Sequence, residues 1–314
     1  MGRISALTLL ALLVVISTYG CATQTSGEAG TDIGVRVVAT EDFGAELLLD
    51  EAVRVSPGTS AMQALKQVAD VETRYGGRFV SGIDGLPSQF PAKDDWFIYI
   101  NGISINKGAP DYSLRDGDIV HFDLHDWHFR MFIPAIIGDF PGSLLHGYEG
   151  KVRPTVIVYD DGLEQTARDL ETSLRELGLT EISTRSAGEL AKSDKQSSNL
   201  VLIGTMDSSL MSELNRAWDR LGFFVHFGDG AMAVFDSKGE LTAEYGAGSG
   251  VVQATQSPWN PKGIGVCENV VWMISGTDRA GVRSAVDALI NQYDRFMYAF
   301  AAVIDGGEVV RVPQ

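Results

Sequence analysis

One stretch in the first half of the chain decides the fold. Residues 96–120 read WFIYINGISINKGAPDYSLRDGDIV. The β-rich run 96–100 is typical of a strand, and Asn101-Gly102 behind it is typical of a hairpin turn that needs positive φ. Asp116-Gly117-Asp118 predicts a second turn, placed just before another β-rich run at 119–124. The stretch therefore predicts two strands of one sheet, each bordered by a tight turn.

Upstream residues add a hairpin and a helix to these strands. The runs 33–38 and 46–53 predict a hairpin, with an acidic, Gly-containing turn between them. Apolar residues at Met62, Leu65 and Val68 form one face of a helix that Thr59 or Ser60 caps. Two strands, a helix and then further strands are the order of a β-grasp domain.

Beyond Pro154 the pattern changes to alternating strands and helices. We expect a layered α/β domain here, with a Gly-rich connection at 245–251 between two of its strands and a hairpin at its C-terminal end. The predicted strands are 155–159, 200–203, 223–227, 231–235 and 270–274, the helices are 163–177, 208–221 and 280–290, and the hairpin pairs 296–304 with 309–312. The predicted fold class is therefore α+β, with an N-terminal β-grasp-like domain followed by a C-terminal α/β layered domain.

Two Gly-Thr motifs in this second half stand where a strand leads into a helix. They are Gly204-Thr205 and Gly276-Thr277-Asp278. A helix N-terminus can bind an anion, but an Asp at this position also caps the helix. We favour capping, by Asp207 in the first motif and Asp278 in the second.

The N-terminus is typical of an exported protein. Arg3 precedes the apolar run LTLLALLVVI at 7–16, which is too short to span a bilayer as a helix. Thr18-Tyr19-Gly20-Cys21 resembles a bacterial lipobox, which implies a lipid on Cys21 and an extracytoplasmic protein anchored to the cell membrane. Simple secretion is the alternative. The predicted organisation is a signal peptide at 1–20, a tether at 21–32, a β-grasp domain at 33–135, a linker at 136–153 and an α/β domain at 154–314.

Composition excludes several classes of function. The 314 residues include 25 Lys+Arg against 41 Asp+Glu, a net charge of −16, so nucleic acid is not an expected partner. Two cysteines, Cys21 and Cys267, build neither a disulfide framework nor a four-thiolate zinc site. We find no P-loop, and no catalytic triad can be assigned from scattered Ser, His and Asp. The chain is therefore not predicted to be an enzyme.

Three polar residues of the predicted strand at 119–124 and its continuation share one face. They are His121, Asp123 and His125, with His128 just beyond. Imidazole and carboxylate groups can bind Zn²⁺ or Cu²⁺, but residues four apart on an extended strand lie about 13 Å from one another. We therefore predict no metal site and expect exposed or hydrogen-bonded histidines. A bend in the strand would leave metal binding open.

The motifs of the first half resemble a known family when they are taken together. They are GTSAMQAL at 58–65, VSGIDG at 80–85, WFIYING at 96–102, APDYSL at 109–114 and RDGDIV at 115–120. In order and spacing they resemble the C-terminal β-domain family of transcobalamin and intrinsic factor, one of the soluble-ligand-binding β-grasp domains. The stretch at 125–147 resembles the continuation found in bacterial lipoproteins of this family, whose function is uncharacterised.

The resemblance implies that the protein captures a small molecule, with a corrinoid such as cobalamin as the candidate ligand, for a membrane importer. No other cofactor is expected. We place the ligand-binding residues among the aromatics of the family-like block, Trp96, Tyr99, Tyr112 and Trp127. Since Trp96 and Tyr99 lie three positions apart on a strand, they point to opposite faces, so that at most one faces the core. The alternative function is a non-catalytic surface module that docks another protein.

Overall fold

The computed structural model describes residues 31–314, so the signal peptide, Cys21 and nearly all of the tether lie outside the described residues. Its first half, up to residue 153, contains ten helices and strands. In chain order they are β1 (Ile33–Glu41), β2 (Glu46–Val55), α1 (Ala61–Val68), β3 (Val71–Arg74), β4 (Phe79–Ile83), β5 (Leu86–Pro87), β6 (Asp94–Ile100), β7 (Ile103–Ser104), β8 (Ile119–Asp126) and α2 (Gly142–Leu145).

The main sheet of this half has five strands in the order β2-β1-β8-β6-β7. The two central strands, β1 and β8, run parallel, and the other pairs are antiparallel. Helix α1 begins at a capping box in which the Ser60 side chain accepts from Gln63 N and the Gln63 side chain accepts from Ser60 N. Its buried face, which includes Met62 and Leu65, packs into the core under the sheet. The predicted β-grasp order of elements is confirmed.

The second half contains fourteen helices and strands. They are β9 (Thr155–Tyr159), α3 (Glu164–Glu176), β10 (Ile182–Ser186), α4 (Lys192–Ser197), β11 (Asn199–Thr205), α5 (Ser209–Arg216), β12 (Val225–Gly228), β13 (Ala231–Phe235), β14 (Leu241–Tyr245), β15 (Gly250–Gln256), β16 (Val270–Gly276), α6 (Arg279–Asn291), β17 (Ala301–Asp305) and β18 (Glu308–Val312). Seven of the strands form one sheet in the order β10-β9-β11-β16-β15-β17-β18. The first four are parallel and the last three antiparallel, so the α/β layer is as predicted and the fold class is α+β.

One central strand was predicted as part of a Gly-rich connection. Strand β15 is buried along its whole length and lies between β16 and β17. The expectation was wrong because the strand carries polar residues whose hydrogen bonds come from distant segments. The Gln253 side chain donates to Val225 O (3.3 Å), and the Gln256 side chain donates to Pro134 O (3.1 Å). Buried amides are tolerated where such partners exist.

Each of the two Gly-Thr motifs leads into a capped helix, and one cap differs from its prediction. Asp278 caps α6, with its carboxylate accepting from Gly281 N at 2.9 Å. At α5 the cap is Ser208, which accepts from Met211 N at 3.3 Å, and the predicted cap Asp207 lies one residue too early. Helix α5 also ends earlier than predicted, at Arg216 instead of residue 221. After this end, Trp218 packs on Phe235 with ring centroids 4.9 Å apart.

The two halves pack closely, and each of the two hydrophobic core clusters contains residues of both. The predicted linker at 136–153 is part of this packing, since Ile136 and Ile137 are fully buried. At Gly138 an added Cβ would meet the backbone of Tyr298 at 2.4 Å. The domain boundaries remain a prediction. Among residues 31–314, no helix is long and apolar enough to cross a membrane.

Candidate functional site

Two of the four predicted ligand-binding aromatics lie on β6, on opposite faces as expected. Trp96 packs in the core cluster that contains α1, and Tyr99 packs in the other cluster, where its ring meets Phe300 edge-on at 5.5 Å. Their exposed fractions are only 4% and 1%. The expectation that one of them faces an open side is wrong, because the second half of the chain covers the sheet face that a lone β-grasp domain would leave free.

Tyr112, the third of these aromatics, is also part of the core. Its ring centroid lies 5.1 Å from that of Tyr148, and its hydroxyl accepts from Glu149 N at 3.0 Å. Burial raises the pKa of Tyr112 far above its usual range, so the hydroxyl stays neutral. In this structure the ring supports the fold and offers no free face.

Trp127 is the one predicted aromatic with a partly exposed ring. Trp127 follows β8, and its backbone N–H donates to Lys93 O at 3.0 Å. The ring centroid of the exposed Phe90 lies 6.3 Å away, and the Lys93 Nζ lies 5.3 Å from the Trp127 ring centroid. We call Phe90, Lys93 and Trp127 the aromatic patch. It lies where β6 begins and β8 ends, and it combines two rings with a positive charge.

The polar residues of β8 form a buried chain of hydrogen bonds. His121 Nδ1 lies 3.0 Å from Asp139 Oδ1, and His121 Nε2 lies 2.8 Å from Thr40 Oγ1. Thr40 in turn donates to Asp123 Oδ2 (2.5 Å), and the other oxygen of Asp123 lies 2.6 Å from His125 Nδ1. We call these five residues the buried histidine chain. They lie under the second half of the protein, because Phe300 packs edge-on against the His125 ring at 5.3 Å.

The hydrogen bonds of this chain assign the charge of His121. The single proton of the Thr40 hydroxyl goes to Asp123, so Thr40 must accept from His121 Nε2. The carboxylate of Asp139 accepts from His121 Nδ1. Both ring nitrogens of His121 are therefore donors, and the ring is an imidazolium. Burial lowers the pKa of His121, but Asp139 and Asp123 raise it more, so that the net shift is upward.

This charge makes a pH-dependent contribution to stability. Because the folded-state pKa of His121 is raised, its contribution is fully present below the unfolded-state pKa of about 6.5 and is lost as the pH rises through the folded-state value. We expect His121→Gln to cost the most stability near pH 5.5 and progressively less at alkaline pH, as measured by urea unfolding. His128→Gln, at an exposed histidine, is the matched control. An equal cost of His121→Gln at every pH would contradict the assignment.

The chain also bears on the metal interpretation of His121, Asp123 and His125. Both nitrogens of His121 and one of His125 hold hydrogen bonds, and His128 pairs with Asp126 outside the core. Among the buried ring nitrogens of the described histidines on β8, His125 Nε2 lacks a partner, and that ring is stacked between Phe43 and Phe97 at 4.4 and 4.2 Å. Within the described part of the chain, no group of three or more His, Cys, Asp or Glu is placed to hold an ion.

The comparisons with known proteins cover part of the chain. Residues 58–126 match a family described as a domain of unknown function, DUF4430. A structure of haptocorrin in complex with Cbi is 18% identical, with a TM-score of 0.26, over 30% of this chain and 26% of the haptocorrin chain. A proposed metal binding protein from Ruminococcus gnavus ATCC 29149 is 15% identical, with a TM-score of 0.24, over 30% of this chain and 97% of that one. No curated protein matches the chain.

Proposed function

We propose that this protein is a non-catalytic, extracytoplasmic binding protein that captures a flat small molecule on the aromatic patch. A corrinoid is the first ligand class to test, a membrane importer is the receiving partner, and a lipid on Cys21 is the anchor. The observation that carries the proposal is the position of Trp127: of the four aromatics expected to contact a ligand, only this one has ring surface free beside a second exposed ring.

The patch has the chemistry that a flat ligand with polar edges requires. Two rings supply apolar area, and the Lys93 ammonium supplies a donor beside Trp127. Asp94 and Asp126 at the neighbouring strand ends add carboxylates, and burial together with Asp126 raises the pKa of Asp94. Ligand sites are built in this way, from aromatic surface and a few polar groups that fix orientation.

The patch is tested by removing its rings. Burying one ring against a ligand contributes roughly 1.5–3 kcal/mol, so we expect Trp127→Ala and Phe90→Ala each to weaken binding about tenfold or more without changing the melting temperature. The measurement is calorimetric titration with cobalamin and cobinamide. Tyr75→Ala is the control, because Tyr75 forms an exposed ring pair with Phe79 at 6.2 Å outside the patch. Undiminished affinity in both patch variants would disprove the site.

A docking function is the second candidate, and the exposed apolar side chains of the first half favour it. Tyr75 is 80% exposed and Phe90 is 66% exposed. Each of these rings lies beside a second ring, Phe79 at 6.2 Å and Trp127 at 6.3 Å, and contiguous exposed apolar surface marks protein–protein contacts. If neither corrinoid binds and a partner protein is lost on Phe90→Ala or Tyr75→Ala, docking replaces ligand capture.

Membrane attachment is tested separately at Cys21. The resemblance of Thr18-Tyr19-Gly20-Cys21 to a lipobox leads us to expect that Cys21→Ser abolishes lipidation, and that the protein then appears in the soluble fraction or as an unprocessed precursor. Mass spectrometry of the mature native protein checks this. A mature chain that starts at an unmodified residue other than Cys21 would show that the protein is secreted without a lipid.

A further inference from the structure

A cavity of about 270 Å³ lies at the junction of three segments that are far apart in the sequence. One segment follows β7, the second is the end of the predicted linker, and the third is the loop before β16. The first segment contributes Lys107, the second contributes Glu149, Lys151 and Arg153, and the third contributes Cys267 and Glu268. The cavity therefore exists only when both halves of the chain are assembled.

Two lysines share one carboxylate at this cavity. Glu149 forms ion pairs with Lys107 and, at 3.2 Å, with Lys151. The Lys107 and Lys151 hydrogen bonds hold the pKa of Glu149 below its usual range, so it stays ionised. Two positive charges against one negative charge leave one positive charge in excess.

A second carboxylate of the cavity, Glu268, also pairs with two cations, of which only Arg153 lines the cavity. Glu268 pairs with Lys262 and, at 3.5 Å, with Arg153. Arg153 Nε is buried and has no hydrogen-bond partner among the described residues. An anion in the cavity does not reach this enclosed nitrogen, so Arg153 acts through its charge and through the exposed part of its side chain. This cluster also carries one positive charge in excess, on a chain whose net charge is −16.

The buried base of the cavity adds no negative charge. Tyr148 is 6% exposed, and its hydroxyl donates to Asn106 Oδ1 at 3.0 Å. Burial raises the pKa of the Cys267 thiol to about 11, so the thiol is neutral at physiological pH. The loop around Cys267 is held in place by Gln256, whose Oε1 accepts from Cys267 N at 2.8 Å. The cations therefore face a cavity floor that is held in place by hydrogen bonds and carries no charge.

From these charges we propose that the cavity binds a small doubly charged oxyanion, such as a phosphate monoester or a dicarboxylate. Lys107, Lys151 and Arg153 contact the anion and exceed the two lining carboxylates, Glu149 and Glu268, by one positive charge. Lys262, which pairs with Glu268 outside the lining, brings the local excess to two. Arg153 contributes the planar donor group that oxyanions prefer. The site shares no residue with the aromatic patch, so anion binding can be tested independently of corrinoid capture.

Binding at this junction has a consequence for the whole fold. A ligand that binds only the assembled native state stabilises it in proportion to the logarithm of its concentration over Kd. The melting temperature of the full chain should therefore rise with anion concentration at constant ionic strength. Salt of the same ionic strength without a dianion should not produce this rise.

The experiment uses the full-length protein, with inorganic phosphate and succinate as separate probes, in calorimetry and thermal unfolding at fixed ionic strength. We expect one or both probes to bind, and the double variant K107M/K151M to bind at least tenfold more weakly. The matched control K66M/K238M removes the same charge from exposed surface positions and should bind like the wild type.

A third variant should change the affinity for the anion in the opposite direction. Glu149→Gln removes the carboxylate that competes with the anion for Lys107 and Lys151, so it should tighten binding. Binding by phosphate alone identifies a phosphate site, and binding by succinate alone identifies a dicarboxylate site. The proposal is overturned if neither probe binds, or if the cavity and control double variants lose affinity equally.

Discussion

Replacing Asp123 by alanine is expected to lower the free energy of unfolding by about 3–5 kcal/mol, because it removes one partner of a fully buried ionic network. The carboxylate accepts from Gly44 N (2.9 Å), Phe43 N (3.2 Å) and Thr40 Oγ1 (2.5 Å) and lies 2.6 Å from His125 Nδ1. Its exposed fraction is 0%, so water cannot replace these bonds. Several buried donors would be left without an acceptor at once.

Urea unfolding of two further variants separates this network from a general effect of charge. Asp123→Asn keeps the shape and one acceptor oxygen, so its cost should be smaller than that of Asp123→Ala. Asp126→Ala removes a carboxylate that pairs with the exposed His128, and its cost should stay below about 1 kcal/mol. Similar costs for Asp123→Ala and Asp126→Ala would mean that the buried chain does not stabilise the fold.

The second large effect is expected at Gly138, where the predicted linker contacts the end of the chain. A Cβ at this position would lie 2.4 Å from Tyr298 C and 2.5 Å from Ala299 N. Both are backbone atoms, so no side chain can move aside to relieve the overlap. Overpacking in a core costs about 1–3 kcal/mol and occasionally more, and we expect Gly138→Ala to lie at or above the upper end of that range.

Thermal and urea unfolding of Gly138→Ala measure this cost, with Gly246→Ala as the control. An added Cβ at Gly246 meets nothing within 4 Å, so that variant should unfold like the wild type. If Gly138→Ala also unfolds like the wild type, the contact between the two halves is looser than the structure describes. The stability of the first half would then depend little on the second.

Local sequence features predicted much of the fold. Helix α1 is capped by Ser60 and buries Met62 and Leu65, as its apolar spacing and capping residues indicate. The predicted strands and hairpin turns of the first half are present because alternation, Asn-Gly and Asp-Gly are signals that act within a few residues. Strand β15 was not predicted, because its buried Gln253 and Gln256 have their hydrogen-bond partners in distant segments, which local patterns do not show.

The candidate sites depended far more on tertiary structure. Period-two alternation placed Trp96 and Tyr99 on opposite faces of β6, and this was correct. The same alternation carries no information about what covers each face, and Phe300 covers Tyr99 from the other end of the chain. Strand geometry likewise placed His121 and His125 on one face, but their carboxylate and hydroxyl partners became visible only in the folded protein.

The sequence by itself determined the order of the main elements of the first half, the caps of α1 and α6, the hairpin turns, the acidic net charge and the expectation of an exported, anchored protein. Each of these depends on neighbours along the chain or on composition, which a single sequence contains in full. Only the tertiary structure decided which aromatic ring remains free, at Trp127, and which charges converge, at Lys107, Glu149 and Glu268. Those outcomes depend on contacts between distant segments, and such contacts follow from the packing of the whole core and not from local periodicity.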